Sequence, residues 1–184
     1  IMADDLGYVD VGFNGSVDIP TPNIDRIAQN GVKFTNGYTP YPVCSPSRAG
    51  FMTGRYQQRF GYERNVQYRP NDPDMGLPQT EKMIPEVLNQ LGYRSGIIGK
   101  WHLGREPHSP LEYGFDLDLP HWWGPGPKSS YLAPWGYANP DFKEGEPGEH
   151  IEDRMAKEAV AWLKNRDPSK PFFMNYWQFS VHAP

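Results

Sequence analysis

The sequence has a single cysteine, Cys44, among 184 residues, and it contains no long apolar run. One cysteine cannot form an internal disulfide, so the chain is not a disulfide scaffold and its redox compartment stays open. A membrane-spanning helix needs about 20 apolar residues, whereas the longest apolar stretch, 171–179, is interrupted by Asn175 and Gln178. The net charge is −4 and no Lys or Arg cluster is present, which argues against nucleic acid and membrane surfaces as partners.

Proline and glycine are abundant instead, with 20 and 19 residues, beside a hydrophobic share of 38%. This composition permits a packed core and implies that loops occupy much of the chain. The length fits one domain. The first residues, 1–3, are typical of the end of a buried strand, so we expect the chain to be an internal piece of a longer domain.

Helical and strand patterns alternate along the chain. Apolar spacing with proline and glycine punctuation predicts helices from about Pro22 to Gly31, Pro46 to Gly54, Ile84 to Gly92 and His150 to Asn165. Short apolar runs predict strands at 1–3, 32–35, 93–98 and 171–179, and a long loop rich in Pro, Gly and aromatic residues over 107–148. The alternation favours an α/β fold with a mostly parallel sheet flanked by helices.

Polar residues follow three of the predicted strands. Asp4 and Asp5 come after the first, Lys100 and His102 after the strand at 93–98, and His182 after the last. Ligands bind at the carboxyl ends of parallel strands, so we expect these side chains to converge, although polar residues also simply end strands. Paired carboxylates suit Ca²⁺ or Mg²⁺ better than Zn²⁺. The alternative for the aspartate pair is a solvated turn, since a glycine follows it closely.

The segment Cys44-Ser45-Pro46-Ser47-Arg48 predicts a helix that begins beside the cysteine. Free N–H groups at a helix start bind anions, and the same field favours a reactive thiolate. Arg48 adds a planar cation that can bind two oxygens of an oxyanion. The alternative for Cys44 is a small buried apolar residue, and a thiol hydrolase that pairs it with a histidine is also open.

Five blocks of sequence, spread in order over the chain, share one resemblance. They are Met2-Ala3-Asp4-Asp5-Leu6-Gly7, Thr21-Pro22-Asn23-Ile24-Asp25, Cys44-Ser45-Pro46-Ser47-Arg48 with Thr53-Gly54-Arg55, Gly99-Lys100-Trp101-His102-Leu103-Gly104, and His182-Ala183-Pro184. Together they resemble the N-terminal part of a type I, formylglycine-dependent, arylsulfatase-like sulfatase of the alkaline phosphatase superfamily. The resemblance implies a sulfuric ester hydrolase.

The resemblance also implies a role for each matching residue. A maturation enzyme would oxidise Cys44 to Cα-formylglycine, whose hydrated aldehyde attacks the sulfur. Asp4, Asp5 and the modified Cys44 would hold Ca²⁺, with Mg²⁺ as the alternative ion. Arg48 would stabilise the hydrated aldehyde, Lys100 and His182 would bind the sulfate and its leaving oxygen, and His102 would assist breakdown of the sulfated intermediate.

Further implications concern the extent and the location of the enzyme. Residues 1–184 would form the first part of a single catalytic domain, followed by the rest of that domain and a C-terminal subdomain. The family's downstream Asp-Asn metal pair does not occur before the end of the chain, so we expect these residues to supply an incomplete metal shell. Such enzymes are commonly exported to the periplasm, cell surface or exterior, or to the lysosome.

The substrate is predicted from residues outside these blocks. Flat aromatic side chains such as Trp122 and Trp123 suit sugar rings, and Arg59 suits a second sulfate or a carboxylate, which together favour a sulfated polysaccharide or smaller sulfated molecule. The alternative is that these aromatic residues only pack the loop. Two other functions stay open, a phosphonate or phosphate ester hydrolase of the same superfamily and a non-catalytic protein that binds sulfated glycans.

Overall fold

The structure is a computed structural model that describes residues 1–66 and 75–183. Its helices are α1 (Pro22–Asn30), α2 (Cys44–Thr53), α3 (Ile84–Asn89) and α4 (Ile151–Asn165), and its strands are β1 (Arg94–Gly99), β2 (Leu117–Leu119) and β3 (Phe172–Trp177). Short 3-10 turns lie at Tyr8–Asp10, Gly12–Asn14, Gln57–Phe60 and Pro110–Tyr113. Within these described ranges, no helix has the length and apolar character needed to cross a bilayer.

The three strands form a parallel sheet in the order β2-β1-β3. Beyond β3, Met2 adds a single parallel bridge to Trp177, so the predicted first strand contributes one paired residue. Parallel strands need crossover connections, and α4 lies in the connection that leads from β2, on one side of β1, to β3 on the other side. The structure thus confirms the predicted α/β class with a parallel sheet flanked by helices.

Strand β1 lies at the centre of the sheet and separates two apolar clusters. Successive side chains of a strand point to opposite faces. Ile97 packs with Ala49 and Met52 of α2, whereas Ile98 packs with Ile151 and Met155 of α4. Helices therefore cover both faces of the sheet, and α2 is held against the same strand that leads into Lys100.

Gly99 ends β1 in a conformation that only glycine adopts easily. Its φ is +115°, and a Cβ built there would lie 1.7 Å from the Trp177 carbonyl oxygen. This close approach lets the next residue, Lys100, donate its backbone N–H to the same carbonyl at 2.8 Å. The chain consequently leaves β1 tight against β3, with Lys100 directed along the carboxyl edge of the sheet.

The strand predicted over residues 32–35 is wrong, because this segment is irregular. Val32 and Phe34 are 76% and 79% exposed, and no strand in the described part of the chain lies beside them. An apolar run without a pairing partner cannot form a ladder. Helix α3 likewise ends at Asn89, earlier than the predicted Gly92.

The long loop predicted over residues 107–148 is wrong for its first third. The 3-10 turn Pro110–Tyr113 and strand β2 both lie inside it. A strand of three residues is too short to show the alternating apolar and polar pattern that predicts a strand. Strand β2 forms because it pairs with Gly96, Ile97 and Ile98 of β1. The remainder of the stretch contains no helix or strand among the residues described.

Candidate active site

The carboxyl edge of the sheet brings together the polar residues that follow the strands, as predicted. Asp4 follows the Met2 bridge, Lys100 follows β1, and the turn 179–182 follows β3. Two backbone hydrogen bonds join the first and last of these segments, from Asp4 N to Ser180 O at 2.9 Å and from Val181 N to Asp4 O at 2.7 Å. The buried Asp4 and the turn that carries His182 are therefore fixed side by side.

Cys44 is the first residue of α2, so the helix begins two residues before the predicted Pro46. The preceding Val43 is extended, so the helix starts at Cys44 itself. As at the start of any helix, the first backbone N–H groups have no partner within the helix. Asn65 satisfies one of them, since its Oδ1 accepts from Ser45 N at 3.0 Å. The thiol is half-buried and lies at the positive end of the helix.

Arg48 lies one turn further along α2 and is 2% exposed. Its guanidinium donates to Asp4 Oδ1 at 3.0 Å and to the Lys100 carbonyl oxygen at 2.6 Å, and it lies 4.7 Å from the centre of the Trp177 ring. Burial lowers the pKa of Arg48, and the nearby Asp4 carboxylate opposes that shift. A guanidinium remains charged in proteins, so Arg48 is a fixed cation that joins three segments of the site.

Lys100 is fully buried and points at the cysteine. Its ammonium donates to Asp4 Oδ2 and lies 3.4 Å from Cys44 Sγ. Among the residues that the structure describes, the buried part of the site thus contains two cations, Arg48 and Lys100, against the single carboxylate of Asp4. This residual positive charge, in a region of low dielectric, favours an anion beside Cys44.

The two predicted histidines differ in environment. His102 is buried at a φ of +56°, and its Nδ1 has no hydrogen-bond partner within the described ranges. Burial, followed by the charges of Lys100 and Arg48, lowers the pKa of His102 to about 3, so its imidazole is neutral at pH 7 and can accept a proton. His182 is partly exposed at the rim, with Nε2 3.8 Å from Asp5 Oδ2.

The donor atoms at this edge fit a hard cation. Asp4, Cys44 and His182 offer ligand atoms that lie within 4.8 Å of one another, and the exposed carboxylate of Asp5 adjoins them. Calcium and magnesium prefer oxygen ligands, and a thiolate sulfur is a soft one. The aspartates therefore suit Ca²⁺ or Mg²⁺, and the cysteine position suits it only in an oxygen-bearing form.

The three residues predicted to contact substrate lie apart from this cluster. Arg59 is exposed on the 3-10 turn Gln57–Phe60. Trp122 and Trp123, with ring centres 5.2 Å apart, line a small cleft beside Trp101. As far as the structure describes the chain, none of the three lines the cavity over Cys44. Their contact with substrate stays a prediction.

Four residues that contact the site were not predicted from the sequence: Asn65, Tyr131, Glu152 and Trp177. Trp177 ends β3, so its place at the carboxyl edge could have been found by extending the strand-end argument. The other three carry no local pattern, because they reach the site through contacts between distant segments.

Comparison with known proteins agrees with this geometry. The model of the Sulfatase family matches residues 1–184. Human N-acetylgalactosamine-6-sulfatase is 35% identical over 209 aligned residues, which cover 100% of this chain and 39% of that protein. The crystal structure of Ps i-CgsB in complex with k-i-k-neocarrahexaose is 36% identical with a TM-score of 0.84, covering 100% of this chain and 44% of that one.

A second solved structure, BT4656 in complex with its substrate D-glucosamine-2-N,6-O-disulfate, is 32% identical with a TM-score of 0.74 and covers 98% of this chain and 33% of that one. The chain thus spans well under half the length of these relatives. The similarity nevertheless extends over all of its residues, with the parallel sheet and its flanking helices in common. The chain belongs to the sulfatase family, within the alkaline phosphatase superfamily.

Proposed function

We propose that the protein hydrolyses sulfate esters at the site formed by Cys44, Arg48, Lys100 and Asp4. The observation that carries this proposal is the position of Cys44 at the start of a helix, 3.4 Å from a buried ammonium and one helical turn from a buried guanidinium. This arrangement places a nucleophile position inside a pocket of positive charge, which suits attack on an anionic ester.

The cysteine position is the proposed site of Cα-formylglycine, made by a maturation enzyme. When present, this group supplies a hydrated aldehyde whose one hydroxyl attacks the sulfur and whose other hydroxyl expels sulfate by carbon–oxygen cleavage. Asp4, Asp5 and the modified Cys44 are the residues that would hold Ca²⁺, or Mg²⁺ in its place. When bound there, such an ion would supply positive charge next to the sulfate.

The resemblance to the family suggests a role for each remaining side chain, and the position of that side chain supports the role. Lys100 and Arg48 are both buried, Lys100 lies against Cys44, and Arg48 lies one helical turn from it, so the two cations neutralise charge on the transferring group and on the oxygen of the modified Cys44. The proposed role of His102, whose imidazole is neutral at pH 7, is to take the proton of the hydroxyl that re-forms the aldehyde as sulfate leaves. His182, at the exposed rim, binds sulfate and the oxygen of the leaving group.

A sulfated carbohydrate is the proposed substrate. Two relatives support this class, since one is named for N-acetylgalactosamine-6-sulfate ester chemistry and another was solved with a sulfated glucosamine. The paired rings of Trp122 and Trp123 offer a surface on which a sugar ring can stack, and Arg59 offers a cation for a second anionic group. Export from the cytoplasm, or delivery to the lysosome, fits such a substrate.

The test is a peptide mass spectrum of the segment around Cys44 together with sulfate release from an aryl sulfate. We expect the protein, co-produced at its natural length with a maturation enzyme, to carry an aldehyde or its hydrate at residue 44. The control is the same protein made without that enzyme, which should keep the thiol and release no sulfate. Sulfate release above background by Cys44→Ala would refute the assigned nucleophile.

A thiol that persists while a control sulfatase is converted would also refute the assignment. Retained glycan binding in that protein would then identify a binding function, and faster turnover of an aryl phosphonate than of an aryl sulfate would identify the related ester hydrolase.

A further inference from the structure

The turn 179–182, which carries His182, is held by side chains from two other segments of the chain. Its first residue, Phe179, is fully buried. The hydroxyl of Tyr131 lies 2.7 Å from the His182 carbonyl oxygen and 3.1 Å from the Phe179 carbonyl oxygen, so its proton bridges both ends of the turn. One hydroxyl group from a distant loop therefore closes this turn.

Glu152 holds the middle of the same turn. It lies in the first turn of α4, and its Oε1 accepts from Ser180 N at 2.8 Å. The other carboxylate oxygen, Oε2, is buried and has no hydrogen-bond partner among the described residues. A partly satisfied buried carboxylate is unfavourable for stability, so a role in folding alone explains it poorly.

The two side chains belong to one rigid frame. Ile151 N donates to the Tyr131 carbonyl oxygen at 2.8 Å, Leu132 forms an antiparallel bridge with His150, and the Tyr131 ring stacks on the His150 ring at 5.5 Å. We call Tyr131 and Glu152 the bracket. Its hydrogen bonds with the turn go to backbone atoms of residues 179, 180 and 182 and to the Ser180 side chain. Neither member lines the cavity over Cys44.

We propose that the bracket positions His182 and Asp4 for sulfate transfer, an inference that rests on the proposed function. The turn is joined directly to Asp4 through the Ser180 carbonyl and the Val181 N–H, so a displaced turn moves both side chains relative to Cys44. Errors of about 1 Å in such geometry reduce turnover strongly. Loss of the bracket consequently lowers kcat, and it raises KM for a small aryl sulfate because His182 is also assigned to binding the sulfate.

The first experiment compares Tyr131→Phe with Tyr137→Phe in the matured protein at its natural length. Tyr137 lies in the same loop, and its hydroxyl accepts from Lys128 N at 3.2 Å, away from the turn. We expect Tyr131→Phe to lower kcat about tenfold or more and to raise KM, and Tyr137→Phe to leave both constants unchanged. Equal kcat values in the two variants would overturn the proposal.

The second experiment uses Glu152→Ala and Glu152→Gln, with Glu158→Ala as the control from the same helix. Glutamine keeps an oxygen that can accept from Ser180 N, so it should restore most of the kcat that alanine loses. Glu158 pairs only loosely with Arg154, at 3.8 Å, and its removal should not change kcat. A glutamine variant as slow as the alanine variant would contradict a positioning role.

A third measurement does not depend on turnover. Labelling with diethyl pyrocarbonate, read by peptide mass spectrometry, reports the accessibility of His182. We expect faster labelling of His182 in Tyr131→Phe than in Tyr137→Phe at equal melting temperature. If the unmodified sequence shows no sulfatase activity, the proposed function fails and this labelling still tests the bracket. Equal labelling in the two variants would overturn the bracket itself.

Discussion

Replacing Arg48 by lysine keeps the positive charge and removes the planar group that reaches two oxygens at once. The guanidinium donates to Asp4 Oδ1 at 3.0 Å and to the Lys100 carbonyl at 2.6 Å, and it lies 4.7 Å from the Trp177 ring. An ammonium group is a point donor on a different stem and cannot reproduce this fork. One of the two buried oxygens therefore loses its partner.

The expected cost follows from these contacts. A buried acceptor left without a donor costs about 1–3 kcal/mol, and a buried cation–π contact contributes about 1–2 kcal/mol. We expect Arg48→Lys to lower the free energy of unfolding by about 3 kcal/mol. Arg55→Lys is the matched control, because Arg55 also pairs with a carboxylate, Glu81, and lies 5.7 Å from the Phe60 ring while being 46% exposed. Exposed pairs contribute about 0–1 kcal/mol.

Denaturant unfolding followed by tryptophan fluorescence measures this difference. The midpoint of Arg48→Lys should fall well below that of Arg55→Lys, with the slope unchanged so that the shift reports stability. The reasoning is wrong if the two variants lose the same free energy of unfolding, or if Arg48→Lys loses less than about 1 kcal/mol. In either case burial would not make the contacts of Arg48 more stabilising than those of an exposed arginine.

Three further predictions concern other parts of the chain. Asp5→Asn keeps a residue type that tolerates the φ of +55° and removes a charged oxygen ligand. The amount of bound calcium, measured by mass spectrometry, should therefore fall together with activity. An unchanged calcium content would count against Asp5 as a ligand. Gly99→Ala places a Cβ 1.7 Å from the Trp177 carbonyl oxygen and should abolish soluble folded protein. In Gly54→Ala the new Cβ meets no described atom within 4 Å, so the free energy of unfolding should fall by only about 1 kcal/mol. Circular dichroism distinguishes the two results. The ring nitrogens of His121 lie 2.7 and 2.8 Å from two carboxylates, and the hydrogen bond to the nearer one is the main cause that raises its pKa from 6.5 to about 9. The stabilising contribution of the protonated His121 is complete below pH 6.5 and is lost as the pH rises through about 9. Because the side chain is 37% exposed, we expect this contribution to the free energy of unfolding to be about 1 kcal/mol. His121→Gln should therefore remove the fall in stability between these two pH values.

Much of the fold could be predicted because proline and glycine mark where elements begin and end. Gly54 ends α2, and the predicted helix at 150–165 matches α4, whose cap is His150. The predictions were wrong for segments whose structure depends on whether a neighbouring strand is available, because the residue types alone do not show this. Strand β2 is three residues long and depends on pairing with β1, whereas residues 32–35 have strand-forming residues and no neighbour to pair with.

The convergence of Asp4, Lys100 and His182 at one edge of the sheet could be predicted from the sequence, whereas the detailed geometry of the candidate site could not. A strand-end argument identifies Asp4, Lys100 and His182, since topology alone brings the carboxyl ends of parallel strands together. It gives no account of Lys100 as a fully buried side chain or of the positive φ of His102, which result from packing around them. Tertiary contacts of this kind have no periodicity that a sequence pattern can show.

The single bridge of Met2 has a consequence for the order in which the site can assemble during synthesis. Met2 N donates to Tyr176 O at 2.9 Å, and Gln178 N donates to Met2 O at 3.0 Å, so the start of the chain is fastened by residues near position 177. About 170 residues separate Met2 from the end of β3. At roughly 5–20 residues per second, a ribosome therefore needs about 10–35 s after making Met2 to produce the β3 residues that pair with it. Throughout that interval the segment that carries Asp4 lacks its β3 partner, so the carboxylate on which Arg48 and Lys100 converge is positioned only after the residues near position 177 have been made.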